Sequence, residues 1–255
     1  AARPLWKRLY DQDAREHRLH YAVVLRDLGL AKTELGDHAG AAQAWEAERP
    51  LRKELYDEKP ERHRDEYTNL LWNLGVVKAE LDDHAGELDA FEEARPLSET
   101  LYDQEPETYR VGYARLLYNL GIAKAELGDH AGAVDAYETA RPRWNELYEQ
   151  DEETYRERYA SVLYNLGRAK GMLGDHTGSV DACEEARPLR KKLYDQEPET
   201  YREDYANLLY ILGLVKAELG DDAGAAQVYE EGRPRWKELY DQDDKTHRES
   251  YATLL

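Results

Sequence analysis

The sequence predicts an all-α protein, an α-solenoid of antiparallel helix pairs, and three observations predict it. Arg-Pro recurs at residues 3, 49, 95, 141, 187 and 233, a constant step of 46 residues, and self-similarity at such a period marks stacked supersecondary units. The unit beginning at Arg95 reads RPLSETLYDQEPETYRVGYARLLYNLGIAKAELGDHAGAVDAYETA and matches the unit at Arg187 at roughly two-thirds of positions without an insertion. The apolar residues, 41% of the chain, are mostly leucine, alanine and 20 tyrosines, with a single phenylalanine. That mixture favours helices over strands. One repeat array over residues 1–255 follows, its last unit incomplete.

Each unit divides into two helices. Tyr109, Tyr113, Leu116, Leu117, Leu120, Ala123 and Leu127 follow the three-and-four spacing of one helical face. This first helix should begin near Pro106, whose fixed φ suits a first turn, and stop at Gly128, a residue favoured just past a helix end. Asp129 is then placed to cap the second helix, and the same Gly-Asp pair stands at 36–37, 174–175 and 220–221. The second unit has Asp82 in place of the glycine, which predicts a slightly strained or differently angled turn. In the second helix, Ala133, Tyr137, Ala140, Trp144 and Leu147 keep steps of four and three straight through Pro142, with no capping residue before the proline. A kinked but continuous helix is expected, despite a cost of about 3 kcal/mol for an internal proline.

Charge and composition exclude several partners. Acidic residues outnumber basic ones 54 to 35, giving a net charge of −19, so a phosphate backbone would be repelled and nucleic acid is not an expected partner. The chain has no apolar run of about 18 residues and no basic-then-apolar leader, so no membrane association is expected. The lone Cys183 allows no internal disulfide, and the cytoplasm is the expected location. No phosphate loop, GxSxG or HExxH pattern occurs, so neither an enzyme nor a cofactor is expected. His38, His84, His130 and His176 recur at one turn position, a full repeat apart, and no Cys or further His lies near His17 and His20 in sequence; no metal is expected. Cys183 takes the slot of Trp45, Phe91, Tyr137 and Tyr229, a helix-packing position.

Three charged columns do not vary: Arg18, Arg64, Arg110, Arg156, Arg202 and Arg248; Lys32, Lys78, Lys124, Lys170 and Lys216; and Glu46, Glu92, Glu138, Glu184 and Glu230. They read as ion pairs and long stems that fix helix packing. Both chain ends fall inside helices without polar caps, which predicts either a piece of a longer chain or ends that stack on other copies.

Leu117, Leu120, Gly121, Gly128, Ala133, Tyr137 and Ala140 have the order and spacing of the tetratricopeptide repeat signature, and the chain resembles that family over nearly every residue. The 46-residue unit is similar to the lengthened repeats of kinesin light chain, although Lys124 replaces the usual large residue after the glycine and Pro142 comes early. The resemblance implies a right-handed superhelix whose concave groove is lined by the first helix of each pair. On that face stand Trp72, Tyr118, Tyr164 and Tyr210, then Asn73, Asn119 and Asn165, then the acidic rim of Glu34, Glu80, Glu126 and Glu218. An asparagine disfavours a helix interior slightly, but its amide can pair with both groups of one peptide unit. These residues are therefore the expected peptide-binding site, and the acidic rim favours a neutral or basic segment. The expected role is an interaction scaffold or sensor segment. The alternative is a structural module that self-associates end to end through Leu5, Trp6, Leu254 or Leu255.

Overall fold

A computed structural model describes residues 2–243 and 245–246; Arg248, Leu254 and Leu255 lie outside the described residues. The helices form two compact units, Ala1–Leu127 and Gly128–Leu255. The first holds α1 (Ala2–Gln12), α2 (Ala14–Glu34), α3 (His38–Glu58), α4 (Pro60–Ala79), α5 (His84–Gln104) and α6 (Pro106–Glu126). The second holds α7 (His130–Gln150), α8 (Glu152–Met172), α9 (His176–Gln196), α10 (Pro198–Glu218) and α11 (Asp222–Gln242). Within each unit every helix packs on the next, and the described residues contain no strand. None of the helices is long and apolar enough to cross a membrane.

Sequence explains where the helices start. Asp37, Asp83, Asp129, Asp175 and Asp221 each accept a hydrogen bond from the backbone N–H of a glycine three residues on, at 2.9–3.0 Å. The even-numbered helices begin after a single extended residue and use two devices. Where proline opens the helix, at Pro60, Pro106 and Pro198, the preceding Lys59, Glu105 or Glu197 makes no side-chain cap. Where it does not, Asp13 and Asp151 accept from the backbone N–H of Glu16 and Thr154 instead.

Helix ends follow the glycines. Gly36, Gly128, Gly174 and Gly220 have φ of 71–80°, the left-handed region where a helix commonly terminates. In the second unit of the sequence Asp82 takes that conformation with φ 55°, alone among the described non-glycine residues, and α4 ends one residue early at Ala79. The substitution thus keeps the turn and stores strain in it. Pro50, Pro96, Pro142, Pro188 and Pro234 all lie inside continuous helices of 21 residues.

Small residues let the helices approach. Phe91 on α5 is fully buried against Gly75 of α4, and Trp45 on α3 lies the same way against Gly29 of α2. Cys183 fills this slot in α9 against Gly167, and burial pushes its thiol up to about 12, so it packs as a small apolar side chain and is not a nucleophile.

Candidate functional site

The invariant charges pair between helices. Lys78 reaches Glu46 at 3.1 Å, Lys124 reaches Glu92 at 2.5 Å, Lys170 reaches Glu138 at 2.7 Å and Lys216 reaches Glu184 at 3.0 Å. Each pair ties an even-numbered helix to the odd-numbered helix before it. The arginine column does similar work in part: Arg18 pairs with Glu54 and Glu58 of α3 and Arg202 with Glu238 of α11, while Arg64, Arg110, Arg156 and Arg202 also pair with a glutamate of their own helix. These columns hold the scaffold and leave the site to other residues.

A second network is not apparent from the sequence. The arginine of Arg-Pro reaches the following odd-numbered helix, where one glutamate also accepts a tyrosine hydroxyl: Arg49 and Tyr67 on Glu93, Arg141 and Tyr159 on Glu185, Arg187 and Tyr205 on Glu231. Burial would raise the Glu231 carboxyl, but the hydrogen bonds from Tyr205 and Arg187 outweigh it and hold the group below its ordinary range. Burial and the same glutamates raise all three tyrosines. A faint signal exists, since Glu93, Glu185 and Glu231 keep the repeat register of the arginines. Register alone does not pair one column with another, and the proline beside each arginine bears only on helix continuity.

The expected binding residues all lie on the even-numbered helices: Trp72 and Asn73 on α4, Tyr118 and Asn119 on α6, Tyr164 and Asn165 on α8, Tyr210 on α10. All seven are half-buried. Asn73 borders a cleft of about 270 Å³ between α2, α3 and α4, with Leu30, Thr33, Trp45, Val76 and Glu80. Among the described residues neither Asn73 nor Asn119 makes a hydrogen bond from its side chain to the protein. Their amides therefore keep their donors and acceptors for water or a ligand. Leu30 and Val76, both exposed, give the cleft by Asn73 an apolar border.

The aromatic rings are partly engaged by neighbouring helices. Trp72 packs on Phe91 at 5.6 Å between ring centres, and the Arg115 guanidinium lies 5.3 Å over it. Tyr164 lies 4.1 Å beneath the Arg190 guanidinium, and burial raises its hydroxyl. Tyr210 meets Trp236 edge-on at 6.4 Å. Trp72, Tyr164 and Tyr210 thus each offer less free surface than the sequence suggests, because the following helices use them for packing. No group of three or more His, Cys, Asp or Glu suited to a metal occurs among the described residues.

The tetratricopeptide repeat family model matches residues 114–140. No curated protein sequence matches the chain. Among solved structures, BtubC (BKLC) from P. vanneervenii is similar at 17% identity and a TM-score of 0.61, over 92% of this chain and 87% of that one. The nearly identical TPR-like repeats of a putative kinesin light chain from Podosopora anserina give 15% identity and 0.60, over 85% and 94%. YrrB, described as a TPR protein with an unusual peptide-binding site, gives 12% identity and 0.54, over 90% and 91%. With the family's signature at 114–140, its pattern repeated at 46-residue steps along the sequence, and helix pairs folded as in these structures, the chain has the tetratricopeptide repeat fold.

Proposed function

We propose that this chain is a non-enzymatic cytoplasmic scaffold or sensor segment that holds a neutral or basic peptide of a partner protein against its even-numbered helices. The observation that carries this reading is the pair of half-buried amides, Asn73 and Asn119, with no side-chain hydrogen bond to the described protein. A polar group in that position loses little by exchanging water for a peptide bond and gains orientation over the ligand. Asn165 occupies the corresponding position of the second unit. Glu34, Glu80 and Glu218 are exposed on the same helices, and a net charge of −19 disfavours acidic segments and speeds the approach of basic ones.

The test is binding to a library of immobilised peptides by wild type and by an Asn73→Ala, Asn119→Ala, Asn165→Ala triple variant of matched helicity and melting temperature. Loss of a set of neutral or basic ligands in the variant supports the reading. Equal binding by both, or no binding by wild type, refutes it. Light scattering over a concentration series then tests the end-to-end alternative. Self-association predicts particle growth that a charge at Leu5 abolishes; Leu5 is 58% exposed on α1.

A further inference from the structure

One position on the odd-numbered helices carries a large planar side chain in every repeat but one. The column reads Trp6, Arg52, Ser98, Trp144, Arg190 and Trp236. The large members fill the space between their own helix and its neighbours: Trp144 and Trp236 are 2% and 3% exposed, Arg52 and Arg190 2% and 5%. Serine cannot fill that space. The column that faces it, His20, Glu66, Gly112, Arg158 and Asp204, also loses its side chain in the same repeat, and a Cβ added at Gly112 would meet nothing within 4 Å.

The outcome is a cavity of about 230 Å³ between α4, α5 and α6, lined by Ser98 and Gly112 together with Trp72, Leu101, Tyr109, Leu116, Asp65 and Arg115. The repeat built around α9 provides the control. There the equivalent space, with Arg190, Leu193, Tyr201 and Asp204 in place of Ser98, Leu101, Tyr109 and Gly112, has shrunk to about 10 Å³. Protein interiors are packed to crystal density, and a void of this size with aromatic walls is a place for a ligand.

The other repeats also show what fits. Arginine is accepted where an acidic residue answers it: Arg52 pairs with Glu48 at 2.7 Å, and Arg190 lies 3.4 Å from the Asp204 carboxylate while donating to its backbone carbonyl. The third repeat has Ala94 and Gly112 at those two acidic positions, the one carboxylate of the wall, Asp65, is already hydrogen-bonded by Tyr109 and Asn69, and Arg115 adds a cation. Tryptophan asks for less. Trp144 follows Ala140 by one helical turn and packs on Tyr155 at 6.2 Å, and Ala94 and Tyr109 are the matching residues here. Trp236 meets Tyr210 edge-on and donates its indole N–H to the Ala206 carbonyl at 3.2 Å. Trp72 and Thr68, both lining the cavity, hold the matching places.

We infer that this cavity is a binding pocket for the indole of a tryptophan side chain on a partner protein, received between Trp72 and Tyr109 in the space that the chain's own tryptophans fill in other repeats. Aromatic walls supply contact area beyond simple burial, and a carbonyl acceptor orients the N–H. Gly112, Arg115 and Asn69 at the mouth are exposed, so the side chain enters from solvent. The inference does not depend on the asparagines.

The experiment titrates N-acetyl-5-fluorotryptophanamide with the full chain and follows its ¹⁹F resonance, using N-acetylargininamide as competitor. Wild type should bind saturably without displacement by the arginine compound. Ser98→Trp should weaken binding by at least about tenfold while melting at an equal or higher temperature, and the triple asparagine variant should bind as wild type does. Should Ser98→Trp fail to fold, Gly112→Trp closes the same pocket from its exposed mouth. Absence of saturable binding by wild type, undiminished binding by the folded closed variant, or displacement by the arginine compound overturns the inference.

Discussion

Replacing Gly75 by alanine tests the helix packing most directly, because two effects of opposite sign compete and the geometry decides between them. Alanine in a helix interior is favoured over glycine by about 1 kcal/mol. Here the added Cβ would stand 2.3 Å from Cε1 of Phe91 and 2.6 Å from Cδ1, where ordinary contact begins at 3.4 Å. The ring would have to withdraw by about 1.1 Å, the difference between those two distances. It has nowhere to go, since Phe91, Ala90 and Ala94 are all 0% exposed and Trp72 closes one side. Overpacking of this kind costs about 1–3 kcal/mol, and with this little room the upper half of that range applies. Gly75→Ala should therefore destabilise by about 1–2 kcal/mol after the helix gain is subtracted, read as a lower midpoint in urea unfolding followed by circular dichroism. In a Phe91→Ala background the same change should become neutral or stabilising, because the methyl enters vacated space. A Gly75→Ala protein about 1 kcal/mol more stable than wild type would show that no ring lies against this backbone.

Two further outcomes follow from strain and from burial. Asp82→Gly should stabilise by about 0.5–1 kcal/mol, since Asp82 holds φ 55° and the glycines of the other turns adopt this region without a Cβ penalty; a lowered melting temperature would refute the strain. Glu48, 1% exposed beside Arg52, is pushed by burial from 4.5 up to about 7, against the hydrogen bond from Arg52. A carboxyl raised in the folded state contributes stability that is present below pH 4.5 and lost as pH rises to about 7. Wild type should thus lose stability relative to Glu48→Gln across that window, and chemical denaturation at a series of pH values would refute this by showing a constant difference or a gain.

The helices that carry the candidate residues are legible in the sequence, and the surroundings of those residues are not. Repeat register puts Asn73, Asn119 and Asn165 at one position of successive even-numbered helices, and the family resemblance assigns that position to the groove; all three are half-buried there. The resemblance assigns Trp72 and Tyr164 to the same face, yet Arg115 and Arg190 lie over their rings. Spacing gives the direction of a side chain from its own helix axis and says nothing of what a neighbouring helix sends toward it.

The sequence by itself determined the period, the helix pairs and their boundaries, because proline, glycine and aspartate act on the backbone within a few residues of themselves. It also determined which charges recur, though not their partners. Only the tertiary structure decided that Lys78 meets Glu46, 32 residues away in the chain, or that one glutamate serves both Arg49 and Tyr67. The cavity is the clearest case. Ser98 and Gly112 are unremarkable singly, and they leave a void only because α5 and α6 bring both to one volume that their counterparts elsewhere fill. Local structure is set by neighbours along the chain, whereas packing is a matter of volume shared by residues that meet only once the helices have docked.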